Sequence, residues 1–223
     1  MAGDKARICV ALVNDDFGTV RSVEPYADLF EVRIDIIGPT WTELAARIGK
    51  PWIATNRLAA EGGKWKGTEN ARISELLKAI EIGASIIDIE LAAPGLKEVM
   101  RETKGRVERL VSFHDFEKTA SLEDLKDIVF RQRQAGADIC KVVTTAQVMA
   151  DNVTVLRLVR ESADVKMVSF AMGGIGQVSR VLSPLAGACF TFASAEQGKE
   201  SAPGQLSAAD LTGIYRTVRP EGK

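Results

Sequence analysis

The sequence predicts an α/β protein that folds as a (β/α)8 barrel, and three observations support this prediction. Short apolar segments of strand length alternate along the chain with longer segments of helical periodicity. Eight strand segments occur within 223 residues, which suits parallel strands joined by right-handed helical crossovers. Two of these strands carry ionisable residues along one face, as expected for a barrel with a polar interior. An open, doubly wound sheet is the alternative fold.

The predicted strands are apolar and rich in β-branched residues, which is typical of a buried parallel sheet. They cover residues 7–13, 30–36, 52–55, 85–91, 109–113, 138–144, 166–171 and 188–193. Helices are predicted at 68–82, 121–135 and 148–161 from their apolar periodicity and from residue types that begin and end helices. No linker or low-complexity segment divides the chain, so residues 1–223 are expected to form a single domain.

Ionisable residues line one face of the second and fourth predicted strands. Glu31, Arg33 and Asp35 alternate with apolar residues in the second strand, and Asp88 and Glu90 alternate in the same way in the fourth. Strands of an open α/β sheet are covered by helices on both sides and are apolar on both faces. A polar barrel interior explains both strands, whereas an exposed edge strand of an open sheet would explain only one.

Lys141 lies in the middle of the apolar strand predicted at 138–144. A buried ammonium group loses its hydration, so it must either form an ion pair or lower its pKa and become a neutral amine. A neutral, buried lysine amine is a nucleophile towards ketones. Lys141 is therefore a candidate catalytic residue. Cys140 alternates with it and is expected to face the surrounding helices.

His114 is the single histidine of the chain, and it follows the strand predicted at 109–113. A structural histidine is the alternative interpretation, but the carboxyl end of a strand is where barrel enzymes carry their catalytic residues. Adjacent strands lie about 4.8 Å apart, so His114 and Lys141 can reach the same substrate atom. A general acid and base beside an amine nucleophile predicts imine chemistry on a carbonyl compound.

Two loops late in the chain are candidates for substrate binding. Residues 171–180 form a glycine-rich loop leading into a helix, so its backbone N–H groups and Arg180 could bind a phosphate or a carboxylate. A tight turn that needs glycine for its backbone conformation is the alternative. Residues 194–207 are polar and lack periodicity, which indicates either a lid over the site or a disordered connection.

The composition excludes several classes of function. Hydrophobic residues make up 46% of the chain and charged residues 26%, with a formal net charge of -1 and no long block of one sign. This balance provides no basic surface for nucleic acid, so a small molecule is the expected partner. The three cysteines show no CxxC spacing, and neither a signal peptide nor a membrane span is predicted. We therefore expect a cytoplasmic protein with reduced thiols and no membrane contact.

Seven motifs spaced along the chain are, taken together, typical of one enzyme family. They are EVRID at 31–35, TNRLAAEGG at 55–63, DIE at 88–90, SFHDF at 112–116, KVV at 141–143, MGGIGQVSR at 172–180 and SAPGQL at 201–206. Through these motifs the chain resembles the type I 3-dehydroquinate dehydratases of the shikimate pathway, from the first strand to the last helix. Two residues depart from the family pattern: Asn56 replaces an expected cysteine or phenylalanine, and Ala120 replaces a frequent proline.

This resemblance implies a lyase that removes water from 3-dehydroquinate through an imine, or Schiff base, giving 3-dehydroshikimate. Lys141 would form the imine, His114 would accept and donate the proton, and Glu61 would orient His114. The resemblance also implies a homodimer without a cofactor or a metal. Seven further residues would bind the substrate. They are Arg180 for the carboxylate, Glu31, Arg33 and Arg57 for the hydroxyl groups, Ser201 and Gln205 in the lid, and Met172 as an apolar wall.

Three other functions remain open from the residues. A class I aldolase also uses a lysine imine on a barrel strand, but it breaks a carbon–carbon bond, and His114 with the SAPGQ segment favours dehydration instead. A metal-assisted lyase would bind a divalent cation at Asp35, Asp88 and Glu90, although nearby cationic side chains are expected to pair with these carboxylates. A non-catalytic binding protein would need neither Lys141 nor His114.

Overall fold

The computed structural model describes residues 6–198 and 200–218. Eight strands within these residues match the eight predicted segments closely. They are β1 Ile8–Leu12, β2 Leu29–Arg33, β3 Trp52–Thr55, β4 Ile86–Glu90, β5 Glu108–His114, β6 Ile139–Thr145, β7 Lys166–Met172 and β8 Thr191–Ser194. Every observed pairing is parallel, in the order β7-β6-β5-β4-β3-β2-β1-β8. The sheet curls into a nearly closed barrel, so the predicted (β/α)8 fold is confirmed.

Helices alternate with the strands and surround the barrel. They are α1 Phe17–Val23, α2 Ile34–Ile37, α3 Trp41–Ala45, α4 Glu69–Ile82, α5 Leu96–Glu102, α6 Leu122–Gln134, α7 Met149–Glu161, α8 Gln177–Ala186 and α9 Ala208–Val218. The hydroxyls of Thr68 and Ser121 cap the first turns of α4 and α6, which is why these two helices begin where the sequence predicts. No helix in the described ranges is long and apolar enough to cross a bilayer.

The second strand is shorter than predicted. It ends at Arg33, and the next four residues form the helical turn α2 rather than continuing to residue 36. The Asp35 carboxylate accepts two hydrogen bonds from the Arg33 guanidinium, at 3.0 and 2.8 Å, and a third from the Lys64 backbone N–H. These contacts satisfy a buried carboxylate locally. Asp35 is therefore buried beside Arg33, as part of the helical turn α2 and not as an inward-facing residue of the strand.

Two apolar layers lie on opposite sides of the strands. Inside the barrel, Cys9, Leu110 and Phe190 belong to an apolar cluster that fills the lower part of the lumen. Outside, Cys140 packs with residues of α6 and α7, as its alternation with Lys141 predicts. Because strand residues alternate between faces, the inward positions above this apolar cluster carry the polar side chains. The functional residues consequently meet at the carboxyl ends of the strands.

Candidate active site

One cavity at the carboxyl ends of the strands is lined by every residue predicted for the site. The predicted residues in its lining are Glu31, Arg33, Arg57, Glu61, His114, Lys141, Met172, Arg180, Ser201 and Gln205. Gly62, Phe116, Val143, Phe170, Phe192 and Ala202 complete the lining. The cavity therefore combines charged and polar groups with an apolar wall that comes mainly from β6, β7 and β8.

Lys141 reaches the cavity from the middle of β6. Its residue is 4% exposed, and Nζ donates a hydrogen bond of 2.9 Å to Asp88 Oδ2. Nζ also lies 4.3 Å from the centre of the Phe192 ring, on its face. Of the two outcomes available to a buried lysine, the structure has the ion pair.

Asp88 is shared between Lys141 and Arg57. The Arg57 guanidinium donates to Asp88 Oδ2 at 2.5 Å and to Ser112 Oγ at 2.6 Å, and Ser112 Oγ donates to Asp88 Oδ1 at 2.6 Å. Burial alone would raise the pKa of Asp88, but the charges of Arg57 and Lys141 outweigh it and hold that pKa below its usual range. Asp88 is therefore an ionised anchor and not a proton acceptor.

His114 forms a pair with Glu61 at the mouth of the barrel. His114 Nδ1 lies 2.8 Å from Glu61 Oε2. Burial, followed by the charges of Arg57 and Lys141, lowers the pKa of His114 well below its usual value, so its imidazole is neutral and can accept a proton. Burial raises the pKa of Glu61 to about 7 even though Arg57 opposes the shift. The contact engages Nδ1 and leaves Nε2 for proton transfer.

Phe116 covers this pair, and sequence reasoning gave it no role. Its ring stacks on the His114 ring, with centroids 6.3 Å apart and planes 27° apart. Gly62 permits the approach, because a Cβ there would lie 2.5 Å from the Phe116 ring. Phe116 is the last residue of the SFHDF motif, so the motif contained the signal. Its contact with Gly62 depends on tertiary structure and cannot be read from spacing.

Arg180 is a buried cation in need of an anion. Its residue is 1% exposed, and its guanidinium lies 4.3 Å from the centre of the Phe170 ring. One terminal nitrogen donates to the Pro203 carbonyl at 3.1 Å, and the buried Nε has no partner in the described part of the chain. Burial lowers the pKa of Arg180 to about 9, and this value still leaves the side chain charged at neutral pH. A planar anion such as a carboxylate would complete its hydrogen bonds.

Asn152, from the neighbouring helix α7, holds the loop that presents Arg180. Its Nδ2 donates to the Ile175 carbonyl at 3.0 Å, and its Oδ1 accepts from the Ser179 N–H at 3.1 Å. Helix α8 has no side-chain cap from its own N-cap residue, and the Ser179 N–H in its first turn is shared between Asn152 Oδ1 and the Gly176 carbonyl. The glycine-rich loop is thus tied to α7 at both of these points.

The predicted lid at 194–207 reaches over the cavity, and its Lys199 lies outside the described residues. The Ser201 backbone N–H and hydroxyl donate to Gln205 Oε1 at 2.8 and 3.2 Å. The Gly173 N–H donates to the Pro203 carbonyl at 3.2 Å. This segment therefore contacts both Arg180 and the glycine-rich loop.

The remaining acidic residues of the site are paired with cations or hydroxyl groups. Glu31 Oε1 accepts from Thr55 Oγ1 at 2.8 Å, and Asp35 pairs with Arg33. Glu90 pairs with Arg57 and with Arg72, a residue of α4 that sequence reasoning did not select. Within the described residues, no group of acidic, histidine or cysteine side chains is arranged to hold a metal ion.

Comparisons with known proteins agree on one family. A family model for Type I 3-dehydroquinase matches residues 8–221. A 3-dehydroquinate dehydratase of Dehalococcoides mccartyi is 45% identical over 195 residues, covering 87% of this chain and 88% of the relative. One from Methanocaldococcus jannaschii is 36% identical over 219 residues, covering 95% and 98%. The crystal structure of 3-dehydroquinate dehydratase from Geobacillus kaustophilus has a TM-score of 0.87 at 26% identity, covering 98% of this chain and 93% of that one. The chain therefore belongs to the type I 3-dehydroquinase family.

Proposed function

We propose that this protein is a 3-dehydroquinate dehydratase, a hydro-lyase that forms 3-dehydroshikimate through a lysine imine. One observation carries the proposal: Lys141, His114 and Arg180 line a single cavity. They supply a buried lysine side chain, a neutral imidazole and a buried cation without a carboxylate partner in the described ranges. A substrate with a ketone, an acidic C–H bond and a carboxylate uses all three groups.

Lys141 attacks the C3 ketone of the substrate as a neutral amine, after its ammonium proton has passed to solvent. The carbinolamine adduct then takes up a proton from solvent, loses its hydroxyl group as water and becomes a protonated imine. The imine withdraws electrons, which acidifies the hydrogen on the neighbouring C2 carbon. Lys141 is therefore both the attachment point and the electron sink, so this covalent route needs no cofactor.

His114 moves the proton in both directions. Its neutral imidazole accepts the C2 proton, and the resulting imidazolium gives a proton to the C1 hydroxyl, which leaves as water. Glu61 holds the ring through Nδ1 and stabilises the imidazolium while it exists. Hydrolysis of the imine then releases the product and restores Lys141, so one water molecule is lost overall.

Substrate orientation comes from charged groups on opposite sides of the cavity. We assign the carboxylate to Arg180, and the hydroxyl groups to Glu31, Arg33 and Arg57. Met172 provides an apolar wall. We assign the lid to residues 194–207, with Ser201 and Gln205 closing over the ring and excluding water.

Borohydride reduction tests the covalent step. With dehydroquinate present, we expect a stable adduct on the peptide that contains Lys141, detected by mass spectrometry, and none in the Lys141→Ala variant. An unmodified Lys141 in a fully active enzyme would exclude the imine. A class I aldolase would also be trapped, so the product must be identified as well. Loss of one water supports the dehydratase, whereas two carbon fragments would indicate the aldolase.

His114 is tested by the His114→Ala variant. A positioned acid and base contributes about 10²- to 10⁴-fold to a rate, so turnover is expected to fall by about that factor. Adduct formation on Lys141 is expected to persist, because the amine and its surrounding cations remain. Full turnover in this variant would contradict the assigned role.

We also propose that the protein is a cytoplasmic homodimer. Cys9, Cys140 and Cys189 are free thiols, and free thiols suit a reducing compartment. Exposed apolar side chains on α7 and α8, and just before the first residue of each helix, offer a contact surface for a second copy. They are Val148, Met149, Val153, Ile175, Val178 and Leu182.

A further inference from the structure

Arg72 connects the outer helix layer to the polar wall of the site. This α4 residue is fully buried, and its guanidinium binds both carboxylate oxygens of Glu69, at 2.8 and 2.9 Å. The remaining nitrogen, Nη1, donates to the Asn56 carbonyl at 2.7 Å and to Glu90 Oε2 at 2.9 Å. Arg72 is thus a neutralising partner of Glu90, and it lies outside the lining of the active-site cavity.

Glu90 is connected to Lys141 through Arg57 and Asp88. Its other oxygen, Oε1, accepts from the Leu58 N–H at 2.9 Å and from Arg57 at 3.2 Å. Arg57 then binds Asp88 at 2.5 Å, and Asp88 accepts from Lys141 at 2.9 Å. Positive and negative groups therefore alternate from Arg72 to Lys141.

Arg57 lies between two buried carboxylates, and its shorter contact is to Asp88. Removing the positive charge of Arg72 would leave Arg57 as the remaining cationic partner of Glu90, and a buried carboxylate with less compensating charge is costly in a low-dielectric interior. Glu90 would then attract Arg57 more strongly. Asp88 would be left to Lys141, and their closer ion pair would hold Lys141 Nζ more tightly against the Asp88 carboxylate.

We infer that Arg72 is a positioning residue for imine formation: by neutralising Glu90, it keeps Arg57 on Asp88, so that Asp88 holds Lys141 Nζ less tightly and Nζ can react with a carbonyl carbon. Its link to turnover rests on the proposed function, but its effect on Lys141 does not. Arg72 acts through Glu90 and Arg57, because it contacts neither Lys141 nor the cavity.

The test measures the reactivity of Lys141 without substrate. Arg72→Met protein is treated with formaldehyde and cyanoborohydride, and methylation of the Lys141 peptide is followed by mass spectrometry. We expect methylation about tenfold slower than in the wild type, and kcat reduced about tenfold with a smaller change in KM. The Arg72→Lys variant keeps the charge and is expected to recover most of both rates. An unchanged methylation rate in folded Arg72→Met protein overturns the inference.

A second substitution separates charge neutralisation from packing. In the Arg72→Met/Glu90→Gln double variant both charges are absent, so Arg57 is expected to stay on Asp88. Lys141 methylation should return to within about threefold of wild type. A purely structural role predicts a double variant at least as slow as the single one, and that result overturns the inference. The double variant also keeps the test decisive if the single variant does not fold.

Arg109→Met provides the matched control. Arg109 also binds a carboxylate, Asp138, through two nitrogens, but at the beginning of β5 and far from the cavity. In the Arg109→Met variant, Lys141 is expected to be methylated at the wild-type rate. If methylation of Lys141 slowed as much in this variant as in Arg72→Met, a specific role for Arg72 would be contradicted. The two proposals can fail separately. If Lys141 of the wild-type protein is methylated but the protein does not dehydrate dehydroquinate, the proposed function is overturned, whereas the comparison of Lys141 methylation between wild type and Arg72→Met still holds.

Discussion

Glu61 and His114 are hydrogen-bonded, yet burial shifts their pKa values in opposite directions. Burial disfavours the charged form of each group, so it raises the pKa of the acid to about 7 and lowers the pKa of the base. The consequence is a neutral imidazole beside a carboxyl group that titrates close to physiological pH. This combination suits a group that must accept a proton and then return it.

The raised pKa of Glu61 predicts a pH-dependent effect on stability. Its folded pKa of about 7 exceeds the usual value of 4.5, so the folded state binds more protons than the unfolded state between these values. Stability from this group is present at low pH and is lost as the pH rises through 7. Glu61→Gln remains neutral, so its stability relative to wild type should increase by about 1 to 3 kcal/mol between about pH 5 and about pH 8.

Urea unfolding of both proteins at these two pH values measures the change. Glu98→Gln, a substitution of an exposed glutamate in α5, is the control and should differ from wild type by the same amount at both pH values. A difference for Glu61→Gln that does not vary with pH would contradict the raised pKa of Glu61. Turnover of Glu61→Gln is expected to fall at the same time, because the imidazolium of His114 loses its ionised partner.

Individual site residues differ in how far the sequence reveals them. Lys141 and His114 are found because strand alternation and strand ends are local patterns. Arg180, Glu31 and Arg33 are indicated by a glycine-rich loop and by strand alternation, whereas Glu61, Arg57 and Met172 come only from the family resemblance. Phe116 and Arg72 were not selected, since their contacts with Gly62 and Glu90 join segments that are distant in the sequence. Long-range contacts of this kind leave no periodic signal.

At the scale of elements, β2 shows how a local ion pair overrides a pattern. Alternation of polar and apolar residues predicts a strand to residue 36, but Arg33 and Asp35 bind each other directly and the chain turns into α2. Alternation describes side-chain direction only while the backbone stays extended. Capped elements such as α4 and α6 are more predictable, because their boundaries are set by single hydroxyl side chains.

The lid offers a prediction about a single glycine. Gly204 has a φ of +73°, and a Cβ there would lie 2.2 Å from the Gly173 carbonyl oxygen. Because backbone atoms cannot yield easily, Gly204→Ala should push the lid away from the glycine-rich loop and from Arg180. We expect KM for dehydroquinate to increase by about tenfold or more, which corresponds to about 1.4 kcal/mol of lost binding.

Gly198→Ala is the matched control for this lid substitution. Gly198 lies in the same loop with a φ of +81°, but an added Cβ would have no neighbour within 4 Å among the residues that the structure describes. Both variants carry the cost of a left-handed backbone, of about 1 kcal/mol, whereas only Gly204→Ala collides with the glycine-rich loop. Steady-state kinetics should therefore separate them. Equal KM values in the two variants would show that the contact with Gly173 does not matter for binding.

For the whole molecule, the alternation of strands and helices was sufficient to predict the barrel. Eight segments, two of them with inward polar faces, favour closure over an open sheet, and the structure confirms it. The sequence pattern does not determine which cation pairs with which carboxylate inside the barrel. That outcome depends on distances between β3, β4 and β6, which only the assembled sheet defines.

The proposed homodimer gives a prediction at the same scale. Val153 lies one helical turn beyond Met149 on α7, and Leu182 lies one turn beyond Val178 on α8, so each exposed pair continues along one face. Light scattering should give twice the chain mass of 24.1 kDa. Val153→Glu or Leu182→Glu would bury a charge at the interface and is expected to weaken association by about 30-fold or more. Phe130→Glu changes a side chain on α6 that is about as exposed as Val153, and this variant should remain dimeric. A monomeric wild-type protein would contradict the proposed homodimer. Dimers in all three variants would show that the exposed apolar residues of α7 and α8 do not form its interface.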